Sequence, residues 1–154
     1  MVAMRRKEKQ VTDNASIEAI IAGARVCRLG LCDRGQPYVI PLCFGYAQGV
    51  FYLHSAAQGR KIDILRDNPR VCIEIDGDTV LKTGESPCKW GMGFKSVIGF
   101  GTAAIVTDPA EKCRGLGLIM AHYGGPTEGY AEKALDATTV IRVTISELTA
   151  KQSP

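Results

Sequence analysis

The chain has 154 residues, 45% of them hydrophobic and 23% charged, which suits a single globular domain over residues 1–154 and excludes a disordered or fibrous chain. A net charge of +3 is too small to argue for nucleic acid, and the 6% of aromatic residues form no stacking row along any strand. No apolar run reaches the about 20 residues that a bilayer requires, and the N-terminal charges have no apolar segment behind them, so a cytoplasmic protein with no membrane partner is expected.

Residues 1–11, with the basic run Arg5-Arg6-Lys7-Glu8-Lys9, read as a solvated arm. Thr12 or Asp13 caps a helix carrying Ile17, Ile20 and Ile21 on one face, and Gly23 ends it. Residues 25–31 read as a first strand, Asp33-Arg34-Gly35-Gln36 as a hairpin turn, and residues 37–46 as a second strand. Pro41 lies inside that strand although it donates nothing to a ladder, which places it at an edge, a bulge or a contact with something else. Residues 50–54 form the third strand, in meander order, and residues 59–68 a short helix stopped by Asn68-Pro69. Val71, Ile73 and Ile75 alternate along a fourth strand with one buried face.

Residues 77–93 read mostly as loop, with a short strand over 79–82. Residues 94–106 are the next strand, bent or bulged at Gly99 and Gly101. Asp108-Pro109-Ala110-Glu111 is a strong helix start, and Leu116, Ile119 and Met120 give that helix an apolar face. A short helix within 128–135, a last strand over 138–145 and a polar tail over 149–154 complete the chain. The expectation is a mainly β protein with flanking helices (α+β), its six antiparallel strands closed into a small barrel.

The six cysteines form no CxxC pair and no zinc pattern, and four of them sit in or beside apolar strand-like runs, so buried reduced thiols are expected. Cys27 and Cys32, five apart, fall on opposite faces of a strand. The two histidines make no metal site without further ligands; His122, at a helix end, reads as structural. No GxSxG elbow supports a hydrolase, and Gly99-Phe100-Gly101 lies in a strand and opens no helix, which excludes a dinucleotide fingerprint.

The richest stretch runs from Phe51 to Lys61. It brings an imidazole (His54), a hydroxyl (Ser55), small Ala56, a glycine (Gly59) and two cations (Arg60, Lys61) close together. Cations neutralise an anion, a hydroxyl donates to it, and glycine lets backbone amides approach it, so a phosphate-bearing ligand fits this mixture. Lys95 and Ser96 repeat the pairing of cation and hydroxyl, and Trp90 either packs on the core or stacks on a flat ligand.

Several segments in order carry a family resemblance: Met4-Arg5-Arg6-Lys7, Cys27-Arg28-Leu29, Pro37-Tyr38-Val39-Ile40-Pro41-Leu42, the stretch just described, Asn68-Pro69-Arg70-Val71-Cys72 and Ser96-Val97-Ile98-Gly99-Phe100-Gly101. Together they resemble the nitroimidazole-resistance (Nim-type) branch of the pyridoxamine 5'-phosphate oxidase-related flavoproteins. The resemblance implies a six-stranded split β-barrel, a homodimer, and FMN (in some members FAD) in clefts at the interface. It further implies that Ile40, Pro41 and Leu42 lie along the flavin ring. Ser55, Gly59, Arg60 and Lys61 would hold the phosphate with His54 and Ala56 beside them; Lys95, Ser96 and Val97, of the same or the partner subunit, would border the cleft, and Trp90 would cover the ring from across the interface. His54 is the implied proton donor of a flavin-dependent oxidoreductase that reduces nitro compounds such as 5-nitroimidazoles. A flavin- or haem-binding barrel without turnover is the alternative.

Overall fold

The computed structural model describes residues 5–154, so the first four residues of the expected arm, Met4 of the quoted motif among them, lie outside the described residues. The remainder of that arm is not merely solvated. After a 3₁₀ turn at Lys7–Lys9, β1 (Gln10–Val11) pairs with the far end of the chain, Gln10 opposite Lys151 and Val11 opposite Ala150. Val11 and Ala150 are buried, and this supplies the apolar anchor that the charged run hides.

Asp13 is the cap of α1 (Asn14–Gly23), its carboxylate accepting from the Ser16 amide at 2.8 Å, and Ile17 and Ile21 enter the core. β2 (Cys27–Asp33) and β3 (Gln36–Leu42) form a two-residue hairpin with positive φ at both Arg34 (48°) and Gly35 (93°), as a type I′ turn requires. The expected second strand is broken at Cys43. Beyond it β4 (Phe44–Ala47) pairs with β5 (Val50–Ala56), while β3 stays on β2. Then follow α2 (Arg60–Asp67), β6 (Arg70–Lys82), β7 (Gly91–Ile105), α3 (Pro109–His122), α4 (Glu132–Ala137) and β8 (Thr138–Ser153).

The strands form one antiparallel sheet in the order β3-β2-β6-β7-β8-β5-β4, with β1 added on β8. This is not the meander expected. β3 and β4 end the path at opposite sides, yet only Cys43 separates them in sequence. The sheet therefore curls back on itself without hydrogen bonds closing it: a split barrel of eight strands rather than six. The extra two are β1 and the half-strand created at Cys43. Pro41, near the break and without an N–H, suits an edge strand.

Residues 77–82 continue β6 through a bulge between Gly77 and Val80, with Asp78 at φ 50°, so the expected loop is a long hairpin arm. The expected bend near Gly101 is a register shift against β8, where Ser146 is the extra residue and donates to the Phe100 carbonyl at 3.1 Å. The expected polar tail is the end of β8, held between β7 and β1, because Ala150 and Leu148 alternate inward there.

Two cores result. Leu29, Phe44, Phe51, Leu53, Ile73, Ile75, Val97, Ile141 and Val143 fill the barrel, joined by Ile62, Ile64 and Leu65 of α2. A smaller one, Tyr52, Ile119 and Val140, lies outside the barrel under α3. Asp108 caps α3 at the Glu111 amide, 2.9 Å away. At its other end His122 Nε2 meets the Ala24 carbonyl at 2.6 Å, and the Tyr123 hydroxyl donates to the Arg25 carbonyl at 2.7 Å. Burial pushes the Cys27 thiol up to about 12, so it stays protonated, and Cys32 falls on the other face of β2. No helix among the described residues is long and apolar enough to cross a membrane.

Candidate functional site

Strand alternation divides β5. Phe51, Leu53 and Ser55 point into the barrel; Tyr52, His54 and Ala56 point to the α3 side. Ser55 is only 7% exposed and is the one buried polar residue among the described residues. Its hydroxyl accepts from Lys61 Nζ at 2.7 Å. Burial, the only cause, lowers the Lys61 pKa, so no nearby acid offsets the charge. A half-buried ammonium with a hydroxyl and no carboxylate is a site prepared for an anion.

The turn before α2 adds to it. Gly59 caps the helix at φ 131°, a backbone conformation open to glycine, and its carbonyl takes the Ile62 and Asp63 amides. The Arg60 and Lys61 amides have no acceptor in the helix ladder, and the dipole of this terminus favours negative charge. The Arg60 guanidinium lies 4.5 Å from the Tyr38 ring centroid and 3.7 Å from the Asp33 carboxylate, which ties α2 to the β2–β3 hairpin. Tyr38, Ile40 and Leu42 share one half-buried face of β3, with Pro41 on the exposed face. Ser55, Gly59, Arg60 and Lys61 thus form one corner, linked to β3, and this donor set fits a phosphate-bearing cofactor.

The other expected residues lie elsewhere in the chain. His54 is exposed on the α3 side and lines a cavity of about 180 Å³ with Leu116, Ile119, Met120 and Tyr130. Ala56 ends β5 on that same face. Lys95, Ser96 and Val97 begin the barrel part of β7. Lys95 stands opposite Gln152, near the end of β8, whereas Ser55 stands opposite Thr139, near its start. Lys95 Nζ is 2.7 Å from Asp78, and the Val97 side chain is wholly inside the barrel. Trp90, 53% exposed, donates through Nε1 to the Gly84 carbonyl at 2.8 Å and packs on no core. One chain therefore does not bring these four to the Ser55 corner.

Two participants were not singled out from the sequence. Tyr38 was detectable, because its two-residue spacing from Ile40 sets it on the same face. Tyr130 was not: nothing in its glycine-rich surroundings foretells that its hydroxyl is buried with no hydrogen-bond partner.

Comparison with known proteins gives the same architecture. A crystal structure of a candidate 5-nitroimidazole antibiotic resistance protein from Bacteroides thetaiotaomicron is 34% identical, with TM-score 0.83 over 92% of this chain and 85% of that one. An FAD-binding protein from Mesorhizobium loti is 25% identical at TM-score 0.67, covering 93% of this chain and 96% of its own. The flavocytochrome Anf3 from Azotobacter vinelandii, 22% identical, shares the fold at TM-score 0.84 over 99% of this chain and 72% of its own. An uncharacterised Rhizobium meliloti protein is 30% identical over 66 residues, a match that spans 43% of each. The family model described as pyridoxamine 5'-phosphate oxidase matches residues 13–152, from the cap of α1 to the end of β8, and the chain belongs to that family.

Proposed function

We propose that this protein is an FMN-binding oxidoreductase acting on small molecules, with nitro compounds such as 5-nitroimidazoles as its substrate class. The observation that carries the flavin reading is the Ser55–Lys61 pair at 2.7 Å at the head of α2, a half-buried cation with no acid to answer it. Lys61, Ser55, Arg60 and the first amides of α2 would hold the phosphate, and the β3 edge at Ile40, Pro41 and Leu42 would run beside the ring. Bound flavin supplies the electron transfer; the chain supplies position, charge and exclusion of water. His54 is the proposed proton donor. It faces the α3 side of β5, so a reacting group must reach it past the strand end at Ala56.

The remaining wall of the cleft is proposed to come from a second copy of the chain. Val39 and Phe100, 60% and 52% exposed, lie with Cys72 in one lateral row on the outer face of β3, β6 and β7, and Ile98 follows one row on. Exposed apolar residues grouped on one face mark an interface. Across it, Trp90, Lys95, Ser96 and the Val97 backbone of the partner would reach the corner that they do not reach in their own chain.

The test is direct. The purified protein should be yellow, release FMN on denaturation, and scatter light as a dimer. A colourless protein that does not take up added FMN overturns the flavin reading, and a monomer that binds flavin fully overturns the shared cleft.

A further inference from the structure

The split that opens at Cys43 has two lips, the free edge of β3 and the end of β5. Phe44 stands opposite Leu53, and that register carried back through the break sets Leu42 and Pro41 on the side of Ser55 and Ala56. The phosphate corner therefore lies across the split from β3. Which backbone groups that edge presents follows from its hairpin. A two-residue turn with positive φ at Arg34 and Gly35 is closed by a hydrogen-bonded pair, here Asp33 and Gln36, and bonded pairs then alternate with non-bonded ones. Tyr38, Ile40 and Leu42 thus exchange bonds with β2, while the backbone of Pro37, Val39 and Pro41 points away from it into the split. Three observations agree. Both prolines fall where the ladder needs no N–H. The Cys32 carbonyl, opposite Pro37, is taken on the far side of β2 by Asn68 Nδ2 at 3.1 Å. The Pro37 carbonyl accepts from the Gln36 side chain at 3.3 Å.

The prolines leave the free edge of β3 with one backbone donor, the Val39 N–H, and the Val39 side chain beside it is exposed. The strand across the break differs: the outward N–H of Phe44 donates to the Tyr123 hydroxyl at 3.1 Å. In an extended residue the N–H and C=O point the same way, side by side, as the C=O and N–H of a cis-amide in a ring do. One such residue between two prolines suits one such group and cannot extend a ladder to a further strand. Half-buried Tyr38, Ile40 and Leu42 give a flat ring apolar surface next to it. We infer that the Val39 N–H and C=O read the ring in this cleft, taking by two hydrogen bonds the adjacent C=O and N–H of a flat heterocycle with a cis-amide edge. This rests on the flavin reading and deepens it: the pyrimidine ring of a flavin has that edge, whereas haem and pyridoxal phosphate have none. The β3 edge, rather than the phosphate corner, then selects flavin against those two.

Fluorescence titration of the full-length protein with FMN, riboflavin and 3-methyl-FMN, which carries a methyl group on the imide nitrogen, tests this. Val39→Pro deletes the N–H at a position where β2 does not use it, and circular dichroism checks its fold. It should weaken FMN and riboflavin by the same factor, about tenfold, because one bond to the ring is lost and the phosphate is not involved. Val39→Ala keeps the backbone and should bind both within about twofold of the parent. The parent should bind 3-methyl-FMN about tenfold more weakly than FMN or worse. Equal FMN affinity in a folded Val39→Pro overturns the inference. So does an equal loss in Val39→Ala, which would assign the effect to the side chain. Binding of 3-methyl-FMN as tight as that of FMN overturns it too, and decides the matter should Val39→Pro not fold. A parent that takes up no flavin fails the flavin reading and this inference with it; a parent that binds FMN while these comparisons fail overturns the inference alone.

Discussion

The two faces of β5 carry different chemistry although their residues are neighbours in sequence. Ser55 faces inward to a corner of cations, backbone amides and a strand edge, built almost entirely by residues 55–61. His54 faces outward to an apolar cavity whose walls come from α3 and α4, more than sixty residues later. One peptide unit reverses the side-chain direction, so closeness in sequence here means separation in space. The inner corner is a local device that needs the α2 turn; the outer pocket is a tertiary device that needs α3 to be docked.

Changing both cations breaks the inner face alone. Arg60→Ala with Lys61→Ala should lower FMN affinity about a hundredfold or more, since two charge-assisted contacts are lost, whereas His54→Ala should hold flavin within about twofold of the parent. Fluorescence titration of FMN separates the two, and equal occupancy in the double variant would falsify the phosphate assignment. The outer face is broken through its scaffold. A Cβ at Gly45 would lie 2.5 Å from the backbone where Leu118 joins Ile119, so β4 and α3 meet only because position 45 is glycine. Gly45→Ala should cost about 1–3 kcal/mol, read as a lower denaturation midpoint, because backbone on both sides leaves little room to relax. An unchanged midpoint would mean that α3 is not held where the pocket requires it.

What could be read from the chain follows the same division. The corner was legible because each of its parts is local: a strand end, a glycine and two cations within one turn. The α3 cap was legible too, from Asp108-Pro109 and Glu111 alone. The closing of the sheet was not. Nothing in residues 37–46 marks Cys43 as the place where the chain leaves one side of the barrel for the other, since Leu42 and Phe44 both suit an uninterrupted strand. The end of β8 was hidden for a related reason: Lys151 and Gln152 look solvated until Val11 is seen to bury Ala150. Separating His54 from Ser55 needed only the two-residue period, and grouping them by their shared motif set that period aside.

The smallest effect is a matter of pH and belongs to the inner face only. Burial lowers the Lys61 pKa below its ordinary value of 10.5. The unfolded chain therefore holds this proton more tightly than the fold does. Between the two pKa values the unfolded state carries more protons, so the cost of the buried charge fades as pH rises towards 10.5. A bound phosphate reverses the preference, because it favours the ammonium. FMN affinity should hold while Lys61 is charged and fall as pH rises through the lowered pKa, earlier than an ordinary lysine would titrate. Lys61→Arg, which keeps its charge at alkaline pH, should remove that fall even if its geometry weakens binding throughout. A flat FMN profile in the parent would detach Lys61 from the phosphate.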